Sequence, residues 1–395
     1  MQNPQQQFAE HLAWTSDSPL GLEVDRAVGS YIYLKDGRRI IDLISGIAVS
    51  SLGHCHPRVI EAVRRQLDKH LHVMVYGEFI QGSQSRYAAA LTKALPDGLD
   101  VVYFTMTGTE ANEGALKLAK KATGRTRMVS FENSYHGDSH GSLSVTGREV
   151  YRNPFLPLLP EVTFLPFGDI GALSAIDDTV ACVITEPIQG EGGIVVPSAE
   201  WHQALRKKCT ETGALLIFDE IQTGFGRTGT MFAFEQFGVV PDIITLAKAM
   251  GGGMPLGAFV SSRETMNAFR TNPPLSHVTT FGGHPVSCAA ALATLEVLTN
   301  ENLPARALKI EQQVRDTLKH PSIREIRGKG AMLGLDLRDA ELTAKVTKTC
   351  LNDGVLLGWT LHSNSLIRIA PPLNIEEDVL NMALRVILMA LKENA

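Results

Sequence analysis

The chain has no dense basic tract. Its richest cationic run is Arg206-Lys207-Lys208, charged residues make up 20%, and the formal net charge is −5. A mildly acidic chain of this kind suits neither nucleic acid nor an anionic membrane, and the short run reads as a solvated helix face. Cysteines are few and scattered: Cys55, Cys182, Cys209, Cys288 and Cys350, an odd number with no Cys-x-x-Cys pair. That argues against a disulfide framework and fits reduced thiols in the cytoplasm. The opening MQNPQQQFAEHL lacks the apolar centre of a secretory leader. Apolar runs such as LISGIAVSSL (43–52) are too short to span a bilayer. Repeats, low-complexity tracts and long linkers are also missing.

What is present is a large apolar inventory, 44% of 395 residues, enough for an extensive core and more than one domain. Short β-branched or aromatic runs fill the middle: VVYF (101–104), RMVSF (127–131), VTFLPF (162–167), ACVIT (181–185), ALLIF (214–218), DIITLA (242–247) and GAFVSS (257–262). Helix-period segments such as ANEGALKLAKKA (111–122) and WHQALRKKCTET (201–212) separate several of them. Apolar strands with little polar alternation, divided by helices, predict an α/β fold whose mostly parallel sheet is buried on both faces. Residues 31–43 read as a hairpin turning at Asp36-Gly37. After about 290 the order is helix, strand pair, helix, strand and a last helix, a smaller α/β unit. The expected division is 1–50 as an N-terminal segment packing with the small domain, 51–290 as the large domain, and 291–395 as the small domain.

Ligands of open parallel sheets bind beyond the carboxyl ends of the strands. Two apolar runs end there in reactive groups, one at Asp219-Glu220 and one at Lys248, which precedes Gly251, Gly252 and Gly253. A lysine amine can condense with an aldehyde, and a carboxylate can keep a pyridine nitrogen protonated. The three glycines suit close approach of something to the backbone. In TGTEANEGALKLAK, Thr107 and Glu110 form a capping box that places Gly108 and Thr109 at a helix N-terminus, a natural phosphate site or simply a helix cap. In ENSYHGDSHG, Tyr135 follows a strand and can stack on a planar ring or merely pack. His136 lacks a second His or Cys at zinc spacing, and His54-Cys55-His56, followed at once by Pro57 and a helical pattern, reads as a helix entry, so no metal is expected. Glu186 and Glu191 in TEPIQGEGG are either a solvated loop pair or site residues. Gly224, Gly226 and Gly229 mimic a dinucleotide fingerprint, but TMFAFEQFGVVPD follows where a helix should open.

In this order, GTEANEGALKLA, YHG, EPIQGEGG, LLIFDEIQTGFGRTG, TLAKAMGGGMPLGA and TTFGGHP resemble the class III aminotransferases, the acetylornithine, ornithine and 4-aminobutyrate group. The likeness runs from LGLEVDRAVGS to LIRIAPPLNI. It implies the fold type I architecture, pyridoxal 5'-phosphate as cofactor and a homodimer with shared sites. Its implied substrates are a small amino donor and a 2-oxo acid. By the same likeness Lys248 and Asp219 are the catalytic pair, Lys248 attaching the cofactor and Asp219 facing its ring nitrogen. Gln222 meets the phenolic oxygen, Tyr135 stacks on the ring, Gly108 and Thr109 hold the phosphate, and Thr280 reaches that phosphate from the neighbouring subunit. His136 and Glu186 complete the cofactor set. Arg368 resembles the arginine that forks onto a substrate carboxylate, and Glu191 the glutamate that neutralises it when an ω-amine enters. One position departs. Acetylornithine-type enzymes usually carry an arginine two residues after the Tyr-His pair, where this chain has Asp138. That shifts weight toward a diamine, 4-aminobutyrate or diaminopelargonate-type donor, with Arg148 or Arg152 as substitute anchors. An aminomutase, racemase or decarboxylase on the same scaffold stays open.

Overall fold

All seven apolar runs of the middle region join one sheet in the computed structural model, which describes residues 3–394. The two terminal divisions expected from the sequence, and the opening segment read against a secretory leader, therefore reach slightly outside the described residues. In spatial order the strands are Val101–Thr105, Gly257–Ser261, Ile243–Leu246, Leu215–Asp219, Val180–Thr185, Arg127–Phe131 and Val162–Leu165. Gly257–Ser261 is antiparallel to both neighbours, and the other pairings are parallel. The sheet is thus mixed but mostly parallel. Its central strands Val180–Thr185 and Leu215–Asp219 are buried almost throughout. Helices Gly108–Thr123 and Ala199–Thr212 pack against it, and Phe218, Trp201 and Leu205 belong to its principal core.

The hairpin forms as its sequence demands. Tyr31–Leu34 and Arg39–Asp42 pair antiparallel, and Gly37 takes φ +89° in the turn, where a side chain is disfavoured. The second of these strands then pairs in parallel with Val355–Leu356, matching Ile41 to Val355. The last hundred residues add helix Leu303–Thr317, the antiparallel strands Glu325–Lys329, Met332–Asp336, Gly358–Thr360 and Ser363–Ile369, and helices Ala340–Asn352 and Glu377–Asn394. Among the described residues no helix is long and apolar enough to cross a membrane.

Candidate active site

The sheet delivers its site residues at strand ends. Asp219 is the last residue of Leu215–Asp219. Lys248 follows Ile243–Leu246 by two residues, in a short turn, with φ +49°. A lysine in the left-handed region is strained by about 1 kcal/mol or more, and such strain persists where the surroundings impose it. The turn brings Lys248 and Asp219 to one cavity of about 540 Å³.

Asp219 is held from three directions. Asn112 Nδ2 donates to its Oδ2 at 2.9 Å, and His136 Nδ1 lies 2.8 Å from the same oxygen. The Ile221 backbone N–H donates to Oδ1 at 3.1 Å. An ionised carboxylate only accepts, so this arrangement places the histidine hydrogen on Nδ1. Asn112 also donates to the His136 carbonyl at 2.7 Å, locking the two supports together. Lys248 is half-buried, and enclosure of its amine pulls its pKa below the usual lysine range despite nearby Glu191 and Asp219. Glu186 is pushed up to about 7 by burial, although the Gly190 and Tyr135 N–H groups donate to it at 2.9 and 3.2 Å.

Thr107 caps helix Gly108–Thr123 as its sequence suggested, accepting from the Glu110 N–H. The reciprocal half differs: Glu110 Oε2 takes the Met106 N–H at 2.8 Å, one residue earlier than a capping box requires. Gly108 and Thr109 line the cavity at this positive helix end. A Cβ on Gly108 would come within 2.9 Å of Ile221 Cδ1, so a larger residue here would have to push the Ile221 side chain aside. The Thr109 hydroxyl is engaged by Ser139 at 2.6 Å, which leaves its backbone as the group for an anion. Of the glycines after Lys248, Gly252 meets Thr294 rather than the cavity, whereas Gly253 lines it.

Glu191 closes one side. Its Oε1 pairs with Arg368 Nη2 and accepts from Gln222 Nε2 at 3.3 Å, while Oε2 accepts the Leu361 N–H at 2.9 Å. Burial opposes its ionisation, yet Arg368 and the Leu361 N–H win and hold it below the usual carboxylate range. Arg368 sits behind Glu191, with Nε buried and without a partner. Tyr135 lines the cavity and donates to Asp138 Oδ2 at 2.7 Å. The structure thus gathers Lys248, Asp219, Gly108, Thr109, Tyr135, His136, Glu186, Gln222 and Glu191 on one cavity wall. Thr280 is exposed and stands apart, in a smaller cavity of about 390 Å³ that shares only Met106 with the first. Sequence reasoning missed Asn112, Ile221 and Val49. Asn112 sits at the fourth position after Gly108 on the helix it begins, one turn inward, and that spacing was the available signal.

These residues fit the planar anionic cofactor that the resemblance implies. A fixed carboxylate, an amine of lowered pKa, a helix N-terminus and the partnerless Gln222 Oε1 face one space. Among the described residues no group of three or more His, Cys, Asp or Glu could hold a metal ion.

Comparison with known proteins agrees. The family model described as aminotransferase class-III matches residues 13–391. The acetylornithine aminotransferase of Methanopyrus kandleri is 42% identical over 374 residues, 92% of each chain. That of Bacillus subtilis is 40% identical over 365 residues, 90% of this chain and 91% of the other. The ornithine aminotransferase of Toxoplasma gondii superposes with a TM-score of 0.91 at 30% identity, over 98% of this chain and 93% of that one. A PLP-bound amine transaminase from an uncultivated Pseudomonas species gives 0.88 at 29%, over 98% of both chains. The chain belongs to the class-III aminotransferases, an enzyme family on the PLP-dependent transferase fold with pyridoxal 5'-phosphate as its cofactor.

Proposed function

We infer that the chain moves an amino group from an ω-amino donor of the ornithine or acetylornithine type to a 2-oxo acid such as 2-oxoglutarate. Two alternating half-reactions share one site, in ping-pong order. The observation that carries this reading is the meeting of Lys248 and Asp219 in one cavity beside the Glu191–Arg368 pair.

When bound, pyridoxal phosphate supplies the electron sink that makes a proton on the donor's amine-bearing carbon removable. Lys248 Nζ is the base for that proton, and its lowered pKa raises the share of neutral amine near pH 7. Asp219 would face the ring nitrogen, with Asn112, His136 and the Ile221 N–H keeping its carboxylate in place. Tyr135 would cover one ring face, and Gln222 would offer its amide to the phenolic oxygen. Gly108 and Thr109 would take the phosphate on the helix N-terminus. Glu191 stays on Arg368 while an ω-amine enters. It swings aside when a 2-oxo acid arrives, freeing Arg368 to fork onto the α-carboxylate.

The same reading includes a homodimer in which Thr280 of the partner subunit reaches the phosphate. Support comes from the exposure of Thr280 outside its own chain's cavity, between the exposed Val278 and Phe281. Pairing of Ile41 with Val355 supports the division into 1–50 packing with 291–395, and 51–290 as the cofactor domain. Five free thiols support a reducing compartment, the cytoplasm.

Replacing Lys248 by alanine tests the reading. After incubation with pyridoxal phosphate and borohydride, the native chain carries a reduced adduct on the Lys248 peptide and the variant carries none. Donor-driven bleaching of the bound cofactor disappears as well. Normal transamination by the variant overturns the assignment.

A further inference from the structure

Charge on the cavity wall is lopsided. Asp138, Glu186, Glu191 and Asp219 face one cation, Lys248, and no arginine lines the space. Three of these carboxylates are occupied. Asp219 is held by His136 and Asn112, Glu186 takes two backbone N–H groups, and Glu191 takes Arg368, Gln222 and the Leu361 N–H. Among the described residues Asp138 has only the neutral Tyr135 hydroxyl, and its residue is exposed.

The two arginines that could have offset it are committed elsewhere. Arg148 Nη1 donates to the Leu361 carbonyl at 3.4 Å, and its guanidinium faces the Tyr151 ring. Arg152 Nη1 donates to the Thr146 carbonyl at 3.1 Å, and its guanidinium lies 3.8 Å from the Phe164 ring centre. Neither reaches the cavity wall. A donor with only a carboxylate at its far end would therefore meet an unpaired anion and no free cation. One with an ammonium there gains a charge-assisted hydrogen bond. The Tyr135 hydroxyl fixes the Asp138 carboxylate at the edge of the ring-stacking tyrosine, so the acceptor is positioned before the donor arrives.

We propose that Asp138 is the specificity-determining residue of this site and receives the non-reacting ammonium of a diamine or diamino acid, so that the preferred donor carries an unacylated far nitrogen. The proposal rests on the transaminase reading above and narrows its donor class. It assigns acyl-capped donors to the disfavoured set, because capping removes the positive charge while leaving the reacting amine intact.

Paired donors test it in single-turnover half-reactions with the cofactor-loaded enzyme. Putrescine is set against N-acetylputrescine, and ornithine against N2-acetylornithine, following the loss of cofactor absorbance. The free amine of each pair should win by about tenfold in the second-order rate constant. The difference should lie in the apparent dissociation constant rather than the limiting rate, and shrink as salt rises. Asp138→Asn, which still accepts from Tyr135, should bring the ratio to about one, and Asp138→Arg should invert it. Capped donors that equal or beat their parents in the native enzyme overturn the proposal. So does an Asp138→Asn variant that keeps the ratio, or one that slows both members of each pair equally, since Asp138 would then act only through Tyr135. If borohydride traps cofactor on Lys248 yet no donor bleaches it, the transaminase reading itself fails.

Discussion

Arg227 and Arg368 are both guanidiniums sealed inside the protein, 0% and 3% exposed, but they are paired with different kinds of acceptor. Among the described residues Arg227 has no carboxylate on it. It donates to the carbonyls of Ala331 and Pro371 and to the Ser51 hydroxyl, tying together three stretches far apart in sequence. Burial lowers its pKa to about 10, with Asp42 opposing. Arg368 instead pairs with the Glu191 side chain and keeps Nε without a partner. Backbone carbonyls in packed segments cannot leave, whereas a glutamate side chain can rotate. On the proposed function, the acceptor rather than burial separates a buried arginine that fastens the fold from one that receives a substrate.

The sharpest way to break this comparison is to remove each guanidinium. Arg227→Ala leaves a cavity and two orphaned carbonyls. It should cost on the order of 3–5 kcal/mol, seen as a large fall in the urea midpoint. A variant as stable as the native chain would remove the distinction. Arg368→Ala should be milder in stability and severe in one half-reaction. We expect about a hundredfold loss or more in the second-order rate constant with 2-oxoglutarate, and a much smaller loss with an amine donor. Equal losses in both half-reactions would mean that Arg368 only supports the fold.

The same contrast explains what could be read in advance. The apolar runs at 127–131 and 214–218 announced their strands because burial on both faces leaves no polar alternation to confuse the pattern. The order of those strands, and the reversal of Gly257–Ser261, depend on crossovers that no local run encodes. Helix Leu303–Thr317 escaped notice because it follows Pro285–Asn300 after only two residues and merges with it in the apolar pattern. Lys248 and Asp219 were visible as chemistry at strand ends. Asn112 was not, since an asparagine inside a helix looks like surface until its partner is known. Arg227 hid within a glycine pattern that mimics nucleotide binding, while Gly226 and Gly229, at φ +87° and +107°, serve the loop that carries it.

Two buried carboxylates offer a smaller test of the same rule. Glu191 has an arginine and is held below the usual range, whereas Glu186 has backbone N–H donors and is raised to about 7. For Glu186 the folded value lies above the unfolded one of 4.5, so folding favours the protonated form. No penalty exists well below pH 4.5. It grows as pH rises beyond that point, because the unfolded chain ionises first, and is complete above about pH 7. Glutamine is uncharged at every pH, and the loss of one N–H acceptor that its Nε2 causes is the same at every pH, so the change with pH reports the charge alone. In protein stripped of pyridoxal phosphate, Glu186→Gln should therefore gain stability over the native chain between pH 4.5 and pH 8, by on the order of 2–3 kcal/mol. Urea unfolding at the two pH values measures this gain. A difference independent of pH would show that the two N–H groups suffice to keep Glu186 charged, and that a buried anion here needs no arginine.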